Sequence, residues 1–234
     1  MNAAAIAPSP PFAALIFDCD GTLADTLSVH YQAWVAALRQ FGSGMDQAWY
    51  ARHTGVSTVD LVALLNTTFG YRLEVAAVKA EKHRHFADLV HLIQPIMPVV
   101  AVVQAYEGKV PMAIASGGTR QVVHRTLQAI GVAAKMQTVL TIEDVAQGKP
   151  NPDLFLLAAQ QLRVNPGDCV VYEDSEVGLE AAQRAGMRAI DVRPAVKRWI
   201  QARGAHDGSN RGAIAPTGNA QPQFIHPPNC GAPS

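Results

Sequence analysis

Short apolar runs recur along the chain, and helical patterns separate the later ones. The first run is Phe12-Ala-Ala-Leu-Ile-Phe17, and similar runs cover 110–115, 136–141, 169–172 and 188–192. Runs of this length are typical of strands that are buried on both faces. Because strands alternate with helices, the sequence predicts an α/β fold whose parallel sheet is covered by helices on both sides.

The stretch 27–97 interrupts this alternation, because it is helical throughout. Its apolar residues recur at helical spacing in two stripes, made of Tyr31, Trp34, Val35, Leu38 and Phe41 and of Leu61, Leu64, Leu65 and Phe69. A connection of this length is too long for an ordinary crossover between two strands. We therefore expect 27–97 to be an inserted helical cap, and 12–26 with 98–200 to form the core.

Composition limits the class of protein. With 234 residues, 49% of them apolar, the chain is long enough for one full-sized α/β domain with an insertion, and wholesale disorder is excluded. Nineteen basic residues balance nineteen acidic ones, so nucleic acid and anionic membranes are not expected partners. No window is apolar enough to span a bilayer. Binding of an anion must therefore depend on a local site.

The ends of the chain and its cysteines carry weaker signals. Residues 1–11 predict a disordered or extended leader, and residues 201–234, rich in glycine and proline, predict a disordered tail. The three cysteines, Cys19, Cys169 and Cys230, contain no CxxC pair and are odd in number, which argues against disulfides and a zinc site. We expect a protein of the reducing cytosol, with Cys19 buried in the core.

Two acids follow the first apolar run, in the segment Asp18-Cys19-Asp20-Gly21-Thr22. Carboxylates at the carboxyl end of a strand lie where open α/β sheets bind ligands. Because Asp18 and Asp20 repel one another, they require a cation or a shared proton, and Mg²⁺ suits oxygen ligands beside a phosphate. A capped turn that leads into a helix is the alternative explanation of this segment.

Three further segments carry complementary chemistry at later strand ends. Ser116 and Gly117 precede a helix whose first N–H groups suit phosphate oxygens. Lys149 offers a positive charge, and Glu173 with Asp174 repeats the strand-then-acids pattern. Singly, these residues have structural explanations: a helix cap, a surface charge and a solvated acidic pair. Together with the first motif, they predict one site that binds a phosphoryl group and a metal ion.

In this order and spacing, the four segments resemble the motifs of the haloacid dehalogenase-like (HAD) hydrolase superfamily, over about 13–192. That resemblance implies a Rossmann-like core. The helical insertion is similar to the α-helical, C1-type cap of the β-phosphoglucomutase-like subfamily. Within that subfamily, the segment His30-Tyr-Gln-Ala-Trp34 is similar to one in bacterial fructose-1-phosphatase-like enzymes.

The resemblance implies a catalytic role for both acids of the first motif. Asp18 would attack phosphorus and form an aspartyl-phosphate, and Asp20 would protonate the leaving oxygen and then accept a proton from water. Dehalogenases of the superfamily lack an acid two residues after the nucleophile, so Asp20 argues against dehalogenation.

The resemblance also implies a ligand set. Mg²⁺ would be held by Asp18, the Asp20 carbonyl and Asp174, with Glu173 as a direct ligand or a neighbour of one. Three further residues would bind the transferring phosphoryl group: Ser116, Gly117 and Lys149. Contacts to the substrate are expected from Thr22, from His30 and from the cap loop Gly55-Val56-Ser57. For His30, helix capping and a pH-sensitive gate are alternatives.

Three functions remain open on the sequence alone. The first is a Mg²⁺-dependent phosphatase of small sugar monophosphates such as fructose 1-phosphate, acting as a monomer. The second is a phosphohexomutase, although the arginine that follows Gly-Val-Ser in such mutases is replaced by Thr58, and Thr119 stands where they carry a lysine. Three cationic residues are candidates to replace the missing arginine and lysine of the mutase pattern: Arg52, His53 and Arg120. The third is a non-catalytic binding module.

Overall fold

Strand β1 (Ala14–Phe17) lies at the centre of a five-stranded sheet in the computed structural model, which describes residues 6–207. The other strands are β4 (Met112–Ala115), β5 (Thr138–Leu140), β6 (Cys169–Glu173) and β7 (Arg188–Asp191). The sheet order is β5-β4-β1-β6-β7, and every pair of neighbours is parallel. The predicted α/β fold class, with a parallel Rossmann-like sheet, is confirmed.

Strand β1 is buried on both faces because helices cover each side of the sheet. Leu15 and Phe17 pack against α5 (Met97–Tyr106), α6 (Arg120–Ala129) and α9 (Arg193–Asp207). Ala14 and Ile16 face the opposite layer, formed by α7 (Asp153–Leu162) and α8 (Glu176–Arg184). The continuous apolar character of 14–17 is therefore what a central strand between two helical layers requires.

The first four of the five α-helices between β1 and β4 form a separate unit: α1 (Leu27–Arg39), α2 (Gln47–Ala51), α3 (Thr58–Phe69) and α4 (Val75–Leu89). They enclose an apolar cluster of their own, which contains residues of both predicted stripes. The two chain connections to this helical unit pair as a short antiparallel ribbon, β2 (Ala24–Asp25) with β3 (Gln94–Pro95). This ribbon, too short for an apolar pattern to reveal, ties the entry and exit of the cap together.

Both ends of the folded region extend further than expected. Within the predicted leader, Ile6 is only 7% exposed, and its carbonyl accepts a hydrogen bond of 2.8 Å from the Tyr172 hydroxyl. Arg188 donates a bond of 2.7 Å to the Ser9 carbonyl. At the other end α9 continues to Asp207, past the predicted start of the tail at 201. Residues 6–11 therefore pack on the core without an α-helix or strand, as the extended form of the predicted leader would, and α9 continues into the predicted tail as far as Asp207. Residues 1–5 and 208–234 lie outside the described residues.

The described cysteines are unbonded. Cys19 and Cys169 are buried with free thiols, and Cys19 lies in the apolar layer beside Phe17. Burial, followed by the charges of Asp20 and Asp18, raises the pKa of the Cys19 thiol. Cys230 lies outside the described residues. Over 6–207, none of the helices combines the length and the apolar character needed to cross a bilayer.

Candidate active site

The candidate site lies where the strand order of the sheet reverses. Strands β1 and β6 are neighbours although four other strands separate them along the chain, and a crevice forms outside the carboxyl ends of such a pair. Asp18 directly follows β1, and its N–H donates to the Tyr172 carbonyl of β6 at 3.0 Å. Glu173 ends β6, and Asp174 follows it. The parallel pairing therefore brings carboxylates from the two motifs to one edge.

Three carboxylates converge at this edge. Each of Asp18, Glu173 and Asp174 offers an oxygen that lies within 4.8 Å of those of the other two. The Lys149 ammonium, with a side chain only 8% exposed, lies 2.6 Å from Asp18 Oδ1 and 2.7 Å from Glu173 Oε2. This acid–lysine cluster combines three predicted strand ends, and Asp18 and Glu173 are themselves buried.

Electrostatics in the cluster favour an additional cation. Burial, and then the charge of Glu173, raises the pKa of Asp18 well above its usual range. The same two causes raise the pKa of Asp174 to about 6. Burial alone would lower the pKa of Lys149, but Asp18 and Glu173 outweigh it and the pKa rises. One ammonium therefore balances only part of the negative charge.

The carboxylates fit a divalent metal ion. Oxygen donors this close together, with raised pKa values, are the arrangement that a hard cation stabilises. Asp18, Glu173 and Asp174 are the residues whose side chains would hold it. Glycine at position 21 leaves room for the Asp174 carboxylate, because a methyl group on the Gly21 Cα would lie 2.2 Å from Asp174 Oδ2. Its φ of +82° is a second reason for glycine at this turn.

Two hydroxyl groups orient the carboxylates of Glu173, the last residue of β6, and of Asp174, which follows it. Glu173 Oε1 accepts hydrogen bonds from Ser175 Oγ at 2.8 Å, from Ser175 N at 3.0 Å and from Asp174 N at 3.1 Å. Thr22 Oγ1 donates to Asp174 Oδ1 at 3.1 Å. Thr22 is completely buried, and the contact that the structure gives its hydroxyl is with Asp174.

Gly178 allows α8 to pass close to Glu173. A methyl group on its Cα would lie 2.1 Å from the Glu173 carboxyl carbon. We expect Gly178→Ala to lower the free energy of unfolding by about 1–3 kcal/mol and to weaken metal binding, because the carboxylate must move. Gly167→Ala is the matched control, since nothing lies within 4 Å of a methyl group there. Equal denaturation midpoints for the two variants would contradict this prediction.

Asp20 belongs to a separate contact between the core and the cap. His30 Nε2 lies 3.2 Å from Asp20 Oδ1, and the His30 ring stacks on Phe86 of α4 with centroids 4.7 Å apart. Burial alone would raise the pKa of Asp20, but hydrogen bonds from His30 and Thr26 help to lower it. Burial, and then Lys82, lowers the pKa of His30. His30 therefore contacts the expected acid–base residue and the cap helix.

Lys82 is a residue of the site that the sequence reasoning missed. It lies on α4 in the same stripe as the buried Val78 and Phe86, and it is itself buried. Its ammonium is 5.5 Å from the centre of the Phe86 ring, and burial lowers its pKa to about 8. A lysine within an otherwise apolar helical stripe was the signal that could have revealed it.

Ser116 and Gly117 directly follow β4, near Asp20. Ser116 is buried, and its Oγ accepts a hydrogen bond of 3.1 Å from the Gly118 N–H, while Gly117 is exposed. A methyl group on the Gly118 Cα would lie 3.3 Å from Ser116 Oγ and 3.5 Å from Asp20 Oδ2. The second motif is thus adjacent to the first.

The cap loop Gly55-Val56-Ser57 makes local contacts instead. Ser57 Oγ accepts from the Asp60 N–H at 3.2 Å and donates to Asp60 Oδ2 at 2.7 Å, so it caps α3. Gly55 has a φ of +85°, with nothing within 4 Å of a methyl group placed on its Cα. The structure does not connect this predicted substrate loop to the acid–lysine cluster.

The acid–lysine cluster at the switch point of the parallel sheet suits a site for a phosphate ester, and comparisons with known proteins identify the chain as a phosphoric monoester hydrolase. The model of haloacid dehalogenase-like hydrolases matches residues 12–186. The chain belongs to the haloacid dehalogenase-like hydrolase family, as the sequence motifs predicted. Its relatives include sugar-phosphate phosphatases and a sugar-phosphate mutase.

Two curated relatives are similar over nearly their whole length. Fructose-1-phosphate phosphatase YqaB of Escherichia coli is 34% identical over 183 residues, which are 78% of this chain and 97% of the relative. Beta-phosphoglucomutase of Bacillus subtilis is 29% identical, covering 76% of this chain and 82% of the relative. The crystal structure of CbbY from Rhodobacter sphaeroides in complex with phosphate has a TM-score of 0.70 at 24% identity, covering 77% of this chain and 86% of CbbY. This last comparison supports the fold.

Proposed function

We propose that this hydrolase is a Mg²⁺-dependent phosphatase of small sugar monophosphates such as fructose 1-phosphate. The observation that carries the proposal is the convergence of Asp18, Glu173 and Asp174 around Lys149 at the sheet switch point. A phosphoryl group needs both a nucleophile and compensation for its negative charge, and this cluster provides each. The similarity to fructose-1-phosphate phosphatase YqaB supports the choice of substrate.

Asp18, Glu173 and Asp174 would hold the magnesium ion, with the Asp20 carbonyl as a further ligand by family resemblance. Hard carboxylate oxygens favour Mg²⁺ over softer metals when the other ligand is a phosphate. When bound, the ion offsets negative charge on the phosphoryl oxygens.

Asp18 performs the substitution at phosphorus. One of its carboxylate oxygens attacks in line, the bond to the sugar oxygen breaks, and an aspartyl-phosphate forms. A water molecule then attacks this phosphorus, phosphate leaves, and the Asp18 carboxylate is regenerated. Three residues hold the transferring oxygens: the Lys149 ammonium, the Ser116 hydroxyl and the Gly117 N–H.

Asp20 moves the proton in both steps. It donates to the sugar oxygen as that group leaves and accepts a proton from the attacking water. Against the effect of burial, hydrogen bonds from His30 and Thr26 help to lower its pKa in the free protein, and the negative phosphate of a bound substrate would raise the pKa of this nearby carboxyl. The contact from His30 is to Oδ1.

Contacts of the cationic residues favour the phosphatase over the mutase. A mutase must grip a second phosphate, and arginine is suited to that role. The Arg120 guanidinium is already bound to Asp144 Oδ1 at 2.6 Å and lies 3.8 Å from Glu143. His53 Nδ1 lies 2.7 Å from the Trp49 carbonyl, and its ring stacks on Trp49. Two of the three candidates are thus already engaged, which leaves the exposed Arg52 as the candidate to replace the missing arginine. The complete set of catalytic residues argues against a non-catalytic module.

Phosphate release from a panel of sugar monophosphates tests this function, measured with Mg²⁺ and with EDTA. We expect turnover of at least one ketose or aldose monophosphate that disappears on chelation. Conversion of β-glucose 1-phosphate to the 6-phosphate is assayed in parallel. The proposal fails if no monophosphate releases phosphate, or if isomerisation is faster than hydrolysis.

Magnesium binding is expected to weaken as the pH falls. The pKa of Asp174 is raised to about 6 and that of Asp18 is also raised, and a carboxyl binds metal in its ionised form. Lowering the pH from about 7 to about 5 therefore protonates these ligands, and the apparent Kd for Mg²⁺ should rise at least about tenfold. The increase in melting temperature with added Mg²⁺ measures this affinity without an activity assay. An equal Kd at both pH values would refute the assignment of these ligands.

A further inference from the structure

A network of ion pairs ties together three elements at the carboxyl edge of the sheet. Arg193, the first residue of α9, donates from Nε to Asp191 Oδ1 at 2.9 Å and from Nη2 to Asp191 Oδ2 at 2.7 Å. Its Nη1 donates to Glu176 Oε1 at 2.5 Å. Asp191 ends β7 and Glu176 begins α8, so this Arg193 clamp joins β7, α8 and α9. Arg193 lies outside residues 12–186, which the family model matches.

The Arg193 clamp encloses the segment that carries two of the three clustered carboxylates. Asp191 is the register partner of Glu173 on β6, and the Val192 N–H donates to the Glu173 carbonyl at 3.0 Å. Glu176 lies two residues after Asp174. One guanidinium therefore holds the chain on both sides of Asp174, through β7 before it and through α8 after it.

Asp174 depends on this support more than the other two carboxylates do. Asp18 and Glu173 are buried, and each accepts a hydrogen bond from the ammonium of the acid–lysine cluster. Asp174 is partly buried, and within residues 6–207 its carboxylate accepts one hydrogen bond from another side chain, that of Thr22 at 3.1 Å. Asp174 also lines a cavity of about 280 Å³, whose lining includes Arg193. The backbone around Asp174 must therefore hold the carboxylate in place.

We propose that the Arg193 clamp positions Asp174 as a metal ligand, so that Arg193, although a cation, increases the affinity of the site for Mg²⁺. The inference rests on the metal site of the proposed function and adds a positioning residue to it. A purely structural role would have little effect, because the three side chains of the clamp are between 35% and 79% exposed and exposed ion pairs stabilise a fold only slightly. We therefore expect the metal-free melting temperature of Arg193→Met to stay close to wild type.

Charge and position predict opposite effects of Arg193→Met on metal binding. Loss of a positive charge near a metal site, by itself, strengthens the binding of a cation. Loss of the clamp lets the Asp174 carboxylate leave its place, which weakens binding. We expect the second effect to prevail and the apparent Kd for Mg²⁺ to rise at least about tenfold, as is typical when residues that orient metal ligands are removed. The increase in melting temperature with added Mg²⁺ gives this Kd, and no substrate is needed.

Lys197→Met removes the same charge without breaking the clamp. Lys197 lines the same cavity as Arg193 and Asp174, and within residues 6–207 it forms no ion pair. Its removal should therefore leave the Kd for Mg²⁺ at the wild-type value or lower it slightly. Glu176→Ala removes a charge of the opposite sign, and because it also breaks the clamp it should raise the Kd as Arg193→Met does. In the double variant the two increases should not add, because one clamp is lost in both.

Saturating Mg²⁺ should return the kcat of Arg193→Met close to the wild-type value, because the clamp acts on metal occupancy and not on the reacting atoms. The proposal is overturned if Arg193→Met binds Mg²⁺ as tightly as Lys197→Met does, or more tightly. A wild-type melting temperature that does not respond to Mg²⁺ would overturn the metal site and the clamp together. If Arg193→Met shows the weakened binding but the wild-type enzyme hydrolyses no monophosphate, the clamp is supported and the phosphatase function fails.

Discussion

Asp18→Asn is expected to reduce kcat for sugar-monophosphate hydrolysis by at least about 10⁴-fold, because an amide oxygen is a poor nucleophile toward phosphorus. The substitution nearly preserves shape. Burial raises the pKa of Asp18, which means that its charge is disfavoured in the folded protein. We therefore expect the metal-free variant to melt at or above the wild-type temperature. Loss of activity without loss of stability would identify a chemical role.

Asp88→Asn is the control for this experiment. Asp88 is an exposed acid of α4, 3.9 Å from Arg84, and its removal should leave kcat and melting temperature close to wild type. Steady-state kinetics with Mg²⁺ and thermal unfolding with EDTA measure the two quantities. Substantial turnover by Asp18→Asn would exclude Asp18 as the nucleophile.

Lys149→Met should have the second large effect, and it should affect both activity and stability. Its ammonium is the buried positive group between Asp18 and Glu173, at 2.6 and 2.7 Å. Without it, buried carboxylates lose their partner, which costs about 3–5 kcal/mol of unfolding free energy. The transferring phosphoryl group also loses a positive charge, so kcat should fall by about 10²–10³-fold.

Metal ions distinguish this effect from ordinary loss of packing. We expect Mg²⁺ to restore part of the stability of Lys149→Met, because a cation at the carboxylates replaces some of the missing charge. Lys135→Met is the control, since Lys135 pairs at 2.5 Å with Glu107, which is half exposed, and its loss should cost less than about 1 kcal/mol. Denaturant unfolding with Mg²⁺ and with EDTA compares the variants. Equal destabilisation of both would contradict the role given to Lys149.

The strands and the cap were predictable because their signals are local. The apolar segment 14–17 between two helical layers and the stripes of the cap helices follow directly from burial. The ends of the chain were not predictable in this way. Ile6 packs in the apolar cluster that contains Phe17, and its carbonyl accepts a hydrogen bond from the hydroxyl of Tyr172. Tyr172 lies 166 positions away, and no local pattern encodes such a contact. Composition alone therefore could not decide between a disordered and an extended form for residues 6–11.

In the candidate site, too, features with a local signal could be predicted, and contacts between distant residues could not. Asp18, Glu173 and Asp174 could be grouped from sequence because each follows a strand, and parallel strands end at a common edge. The hydrogen bond from Thr22 to Asp174 could not be predicted, since the direction of the Thr22 hydroxyl depends on how the turn at Gly21 folds over Asp174. The place of Lys82 and Phe86 beside His30 depends on how α4 packs against α1. The sequence of neither helix alone determines their relative orientation.

Trapping of the phosphorylated enzyme tests the central claim most directly. The Mg²⁺-loaded protein is mixed with a sugar monophosphate that it hydrolyses. The reaction is quenched in acid within one turnover, and the protein is digested for mass spectrometry. We expect one phosphoryl group on the peptide that contains Asp18, and none on that peptide in Asp18→Asn. A phosphoryl group on another residue, or full turnover with no phosphorylated peptide at any quench time, would contradict the account.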